Sequence, residues 1–237
     1  MTAQAAISFE TAQAASAGHD PAPAIRAGLR RSARGAYARY GKRAADIALA
    51  LLLLPIVLPI IGALWVMTRA DGGPGFFGHR RIGRRGRTFR CWKIRTMVVD
   101  AEARLSAHLA ANPAAALEWA RDFKLERDPR VTRLGAVLRA TSLDELPQIW
   151  NVLRGEMSFV GPRPVVRAEL CRYGRNRTAY LALKPGITGL WQVSGRNDVS
   201  YESRVRMDVD YLSRISLGTD LRLVARTIGA VLGRTGR

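Results

Sequence analysis

Residues 47–67, IALALLLLPIVLPIIGALWVM, form a 21-residue run without a charge. As a helix the run extends ~31 Å, enough to cross a hydrocarbon core. Two features argue against a plain span. Pro55 and Pro59 fall in its middle, where each removes a backbone donor and favours a kink or break. Both flanks are also basic: residues 24–43 hold seven Lys and Arg, and residues 68–87 hold six (Arg69, Arg80, Arg81, Arg84, Arg85 and Arg87). The positive-inside rule then places both ends in the cytoplasm, which a proline-broken, re-entrant hairpin satisfies and a straight span does not.

Downstream, the pattern changes from continuous to periodic. A Gly-rich turn (71–75) leads to a basic loop, HRRIGRRGR (79–87), and a short strand-like segment, TFRCWKIRTM (88–97). In a strand, Lys93 and Arg95 point to the same side, toward one site. Residues 98–123 read as helical, interrupted near Asn112-Pro113, and Asp128-Pro129 marks a turn. Val131, Leu134, Val137 and Leu138 then form a helical face that ends at Arg139. A further helix beginning near Leu143 carries Leu146, Ile149, Trp150 and Leu153 on one side. The last segment aligns Leu217, Leu221, Val224, Ile228 and Val231 opposite Arg222 and Arg226, either as core packing or as an interfacial amphipathic helix. Residues 1–38 lack a sustained apolar face and are expected to be disordered or loosely ordered. They do not read as a signal peptide, because the first apolar run begins too late and is too long. The chain thus divides into a tail (1–38), a membrane segment (39–70) and a cytosolic domain (71–237).

Charge narrows the range of partners. Lys and Arg number 38 against 19 Asp and Glu, a formal net charge of +19, and nearly all of the positive charge is arginine. This balance implies nucleic acid, a phospholipid surface or a nucleotide-type substrate. Arginine dominance fits bidentate phosphate recognition. The basic loop 79–87 lacks the aromatic interleaving of a single-strand nucleic-acid site, and beside an apolar anchor it suits an anionic phospholipid membrane surface or a phosphate-binding role better. Cys91 and Cys171 are far apart, and His19, His79 and His108 have no ligand spacing, which argues against a disulfide framework or zinc site.

The chemistry concentrates in residues 139–164, RATSLDELPQIWNVLRGEMSFVGPRP. Asp144 and Glu145 are adjacent, Arg139 lies upstream, and Arg163 sits between two prolines. Ser142 followed three residues later by Glu145 is a capping-box pattern, so helix capping alone accounts for the acids. A first-turn position would also favour the carboxylate form, which is the nucleophilic one. The turn-rich loop KPGITGLWQVSGRN (184–197) is suited to close over a nucleotide.

These motifs, in this order, carry a resemblance. The Asp46-led apolar segment, WKIRTM, TSLDELPQIWNVLRGEMSFVGPRP and KPGITGLWQVSGRNDVSYESRV resemble those of the bacterial sugar transferases, or monotopic phosphoglycosyl transferases, over about residues 40–232. The resemblance implies a mainly α fold, poor in α/β character: a re-entrant membrane helix hairpin and a compact cytoplasmic catalytic domain with short strands and interfacial amphipathic helices. It implies transfer of a sugar 1-phosphate from a UDP-sugar to polyprenyl (undecaprenyl) phosphate, with release of UMP, as the first membrane step of exopolysaccharide or glycoconjugate synthesis at the bacterial inner membrane. Asp144 would be the nucleophile, forming a covalent phosphosugar, and Glu145 its partner. Mg²⁺, held partly by Asp144, would offset pyrophosphate charge.

Lys93, Arg95, Arg139 and Arg163 would hold phosphate, Gln192, Arg196 and Asn197 the nucleotide-sugar, and Pro59, with Pro55 nearby, would break the membrane helix. Leu58 stands where the family often has serine, and Ile94 where an aromatic is common. The ending GLWQVSGRNDVSYESRV is most similar to undecaprenyl-phosphate galactose phosphotransferases, which makes galactose the expected sugar and glucose the runner-up. A homo-oligomer is compatible with this reading, and nucleic acid is not an expected partner. The competing class, a membrane-anchored nucleic-acid-binding protein, leaves Asp144-Glu145, GPRP and the doubly basic flanks unexplained.

Overall fold

A computed structural model describes residues 23–122, 125–194 and 199–232. Among these residues the chain is mainly helical with two small two-stranded sheets. Helix α1 (Pro23–Arg34) lies within the segment expected to be loosely ordered, and differs from that expectation. Its Ile25 and Leu29 join a core cluster with Tyr211, Leu212 and Leu223. These apolar positions are four apart, so they share one helix face, a short stripe that the Ala-rich composition obscured. Residues 1–22 lie outside the described residues.

A π-helical turn (Tyr37–Gly41) leads into α2 (Lys42–Arg69), the apolar helix, which is long and apolar enough to cross a membrane by length and composition. Pro55 and Pro59, where a break was expected, both lie inside this one helix. A proline deletes one ladder bond, and here both turns are held from outside by packing. Leu53, Leu54 and Val57 lie against the main core cluster, which contains Ala50, Ile61 and Leu64. Positions 46, 50, 53, 57, 61, 64 and 68 follow the helical repeat, so a single face touches protein along the whole length. The opposite face, including Leu52, Ile56, Leu58, Val66 and Met67, is exposed.

Both ends of α2 are fastened to the same body. Near the N-terminus, Asp46 Oδ1 accepts from Ser158 Oγ (2.9 Å) and Phe159 N (3.0 Å), while Arg43 donates to the carbonyls of Val152 and Leu153. Near the C-terminus, the Thr68 carbonyl accepts from Arg95 Nη2 (3.0 Å).

Strands β1 (Phe76–Ile82) and β2 (Thr88–Ile94) form an antiparallel hairpin in which His79 pairs with Cys91 and Arg81 with Phe89. The basic loop of the sequence is therefore half strand. Helices α3 (Ala101–Ala111) and α4 (Pro113–Asp122) meet at Asn112-Pro113, where proline takes the first helical position. After α5 (Arg133–Thr141), a 3₁₀ turn (Leu143–Glu145) precedes α6 (Gln148–Leu153). Strand β3 (Ser158–Val160) pairs in parallel with β4 (Gly186–Thr188), across α7 (Arg167–Cys171) and α8 (Arg177–Ala182).

This pairing joins the two glycine-rich motifs. Gly161 and Gly186 lie backbone to backbone, such that a Cβ on Gly186 would come within 2.2 Å of Gly161 N. Helix α9 (Tyr201–Arg214) covers α1, and α10 (Leu217–Leu232) ends the described chain. In α10, Asp220 and Leu223 are buried while Leu217, Leu221 and Ile228 are exposed, which leaves the apolar stripe outward.

Candidate active site

The site forms where the β hairpin, the 3₁₀ turn and the β3–β4 pair converge. Ser142 sits in the left-handed region (φ 58°), a conformation rarely taken by residues other than glycine, and makes no side-chain capping bond. The capping box expected from Ser142 and Glu145 is therefore absent. Ser142 instead ends α5 and reverses the chain, which brings Arg139 and Glu145 to the wall of one cavity.

Lys93 is the hub. Its Nζ lies 2.7 Å from Glu145 Oε1 and 3.2 Å from Asp144 Oδ2. Asp144 is 6% exposed. Burial pushes its carboxyl above the ordinary range; Lys93 opposes that rise, Glu145 adds to it and Arg139 opposes it. Burial also works against the Lys93 ammonium, but Glu145 and Asp144 more than offset it, and its pKa is raised. Charge pairing with Lys93, rather than a helix dipole, thus favours the ionised form of Asp144. The result is a carboxylate that is more basic than one in water yet held beside a fixed cation.

The cavity beside this pair has a volume of about 430 Å³. Arg139, Glu145, Arg163 and Gln192 line it together with Leu53 and Val57 of the apolar helix. Arg139 Nε donates to Thr96 Oγ1 (2.9 Å), which fixes the guanidinium, and Arg163 is exposed at the rim. The loop expected to close over a nucleotide is partly strand β4 and partly a 3₁₀ turn (Trp191–Val193), and Thr188, Trp191 and Gln192 face the cavity.

Lys93, Asp144, Glu145, Arg139, Arg163 and Gln192 are therefore brought together. Arg95 is not. Strand β2 ends at Ile94, so the alternation that paired Lys93 with Arg95 does not extend to it. Its Nε donates to Pro74 O, its Nη1 to Asp71 Oδ2 and Met97 O, and its Nη2 to Thr68 O and Asp71 Oδ1. These use all the donors of a guanidinium, and none remains for phosphate. Arg196 and Asn197 lie outside the described residues.

Sequence reasoning missed His79, Arg81 and Gln148, which sit beside Lys93 and Glu145. Reading residues 79–87 as a loop concealed the first two. A hairpin register would have put residues 77, 79 and 81 on the Lys93 face.

Residues 37–234 match the model of the bacterial sugar transferase family. The chain belongs to that family. Among curated proteins, it is 52% identical over 198 residues to a UDP-galactose-lipid carrier transferase of Erwinia amylovora, and 48% identical over 198 residues to an undecaprenyl-phosphate galactose phosphotransferase of Salmonella typhimurium. Each match covers 84% of this chain and 42% of the relative, so the chain spans less than half the length of these two proteins. It is also 50% identical over 191 residues to the exopolysaccharide production protein ExoY of Sinorhizobium fredii, covering 80% of this chain and 84% of that protein.

Proposed function

We propose that this sugar transferase moves a hexose 1-phosphate, galactose 1-phosphate by preference, from a UDP-sugar to undecaprenyl phosphate, with Asp144 as the nucleophile. The observation that carries the reading is the pairing of Lys93 with Asp144 and Glu145 beside a cavity partly lined by the apolar helix. The names of the two galactose-related relatives support the sugar and the acceptor. Glucose is the alternative hexose.

In this reading, an Asp144 carboxylate oxygen attacks the β-phosphorus of the donor. The bond from that phosphorus to the bridging oxygen breaks, and the oxygen leaves with the electron pair as part of UMP. The sugar phosphate stays on Asp144 as an acyl phosphate until a phosphate oxygen of the lipid attacks the same phosphorus and frees the carboxylate. Lys93 holds both carboxylates in place, Glu145 orients the incoming group or takes up its proton, and Arg139 and Arg163 bind phosphate oxygens. Leu53 and Val57 offer an apolar wall to the first isoprene units of the acceptor.

Mg²⁺ fits Asp144 and Glu145 in its usual mode of one or two carboxylates completed by substrate phosphates. Among the described residues no group of three or more His, Cys, Asp or Glu is placed to hold a metal alone. When bound, the ion would offset pyrophosphate charge.

The fastening of both ends of α2 to one body supports a monotopic arrangement with both ends on the cytoplasmic side. The outward stripe of α10 and the exposed arginines of the β hairpin support contact with an anionic phospholipid surface.

The test is UMP release by the purified protein across a panel of UDP-sugars, with undecaprenyl phosphate and Mg²⁺. Absence of turnover with every sugar would refute the transferase reading, and faster turnover with UDP-glucose would correct the hexose. Labelling both ends of α2 in cells tests the topology, and a periplasmic signal from either end would overturn it.

A further inference from the structure

A second cavity, of about 50 Å³, shares Glu145, Arg163, Ile187 and Gln192 with the first. By a comparable measure one water needs about 10–15 Å³, so the space suits a few waters or the oxygens of one phosphate group. Its walls differ from those of the larger cavity. No residue of the apolar helix reaches it, and Arg81, Lys93, Arg163 and His79 surround it with Glu145 as the one carboxylate in the lining.

Glu145, the carboxylate in the lining, is already paired with Lys93, which leaves Arg81 and Arg163 without an acid of this cavity. Arg81 Nη1 lies 3.5 Å from Glu169 Oε2, long for a charge-assisted bond, and that oxygen already accepts from Val166 N (3.1 Å). Burial lowers the Arg81 pKa and Arg163 adds to the effect, although Glu169 opposes it. Burial, Arg81 and Lys93 hold His79 below its usual value. Gln148 completes the wall. It is 3% exposed.

We infer that this cavity seats the donor's α-phosphate, the group that leaves as the phosphate of UMP, with Arg81 and Gln148 binding its oxygens alongside Lys93 and Arg163. The inference rests on the transfer chemistry proposed above. As the bond between the β-phosphorus and the bridging oxygen breaks, that oxygen takes the electron pair and the negative charge passes to UMP, next to Arg81, Lys93 and Arg163. The acceptor lipid phosphate uses the larger cavity, whose wall includes Leu53 and Val57.

The experiment measures UMP, uridine and undecaprenyl phosphate binding by calorimetry on the full chain in nanodiscs, for the native protein and for Arg81→Gln, Arg81→Lys and Gln148→Leu. Arg81→Gln should weaken UMP binding about tenfold or more, leave uridine and undecaprenyl phosphate unchanged, and be partly rescued by Arg81→Lys. Gln148→Leu should weaken UMP severalfold. If Arg81→Gln binds UMP as the native protein does, or loses undecaprenyl phosphate instead, the assignment falls while the transfer reading stands. A native protein that neither binds UMP nor releases it from any UDP-sugar overturns both. Because uridine and the lipid probe the same samples, a misfolded variant loses every ligand, and Gln148→Leu then decides the assignment: native-like UMP affinity overturns it.

Discussion

Arg95 and Asp71 form a two-pronged ion pair in which Nη1 donates to one carboxylate oxygen and Nη2 to the other. The pair closes the turn after α2 onto the end of β2. Gly73 permits the close wrap, since a Cβ there would lie 2.8 Å from Arg95 Nη2. Because Arg95 also serves the carbonyls of Thr68, Pro74 and Met97, Arg95→Ala leaves buried acceptors without donors. The expected loss is on the order of 3 kcal/mol, visible as a lower thermal midpoint. Activity per folded molecule, measured well below that midpoint, should stay within a few fold of native. Loss of activity without loss of stability would return Arg95 to the phosphate site.

Lys93→Met tests the hub. Lys93 acts to lower the Asp144 pKa against burial, so its removal raises that pKa further. The nucleophilic carboxylate then forms at higher pH, and the acid limb of the rate profile for UMP release moves alkaline. A fall of about 100-fold is expected at pH 7, with partial recovery as pH rises. A uniform loss at every pH would leave Lys93 a phosphate ligand without influence on Asp144.

The apolar helix, the dyad and the helix interruption at Asn112-Pro113 were legible because each depends on local pattern. Three features were not. The continuity of α2 through Pro55 and Pro59 depends on Ala50, Ile61 and Leu64 packing against distant segments. The fate of Arg95 depends on where β2 stops, and element boundaries are the least readable part of a sequence. The Ser142 turn breaks a local rule, since a capping-box pattern occupies a left-handed position. Conflicts of that kind concentrate at functional sites.

The outward stripe of α10 leads to a binding prediction. Leu221 and Ile228 are more than half exposed, and burying each in a lipid interface is worth roughly 1–2 kcal/mol. Leu221→Glu combined with Ile228→Glu should reduce co-sedimentation with anionic vesicles at least tenfold, if the double variant is tested without α2 embedded in detergent. Its helical circular dichroism should be unchanged, because neither side chain packs in the core. Unchanged vesicle binding would assign the stripe to a protein contact instead.

Asp208 sets an acid-side stability trend. It is buried on α9, accepts from Tyr173 Oη at 2.7 Å, and burial pushes its pKa up from 3.8 to about 7, although the Tyr173 bond opposes the rise. The sign follows from proton counting. Between about pH 4 and pH 7 the folded protein keeps the Asp208 proton and the unfolded chain has lost it. Stability from this group is therefore greatest at low pH and declines through that window as pH rises. The decline amounts to a few kcal/mol. Asp208→Asn retains an acceptor for Tyr173 without an ionisable group, so its urea midpoint should exceed the native one at pH 8 and approach it at pH 5. Other carboxylates contribute their own slopes to both proteins, so the difference between the two midpoints, rather than either alone, isolates Asp208. Equal midpoints at both pH values would mean that Asp208 ionises in the folded state with an ordinary carboxylate pKa, a result that requires water to reach the Tyr173 contact.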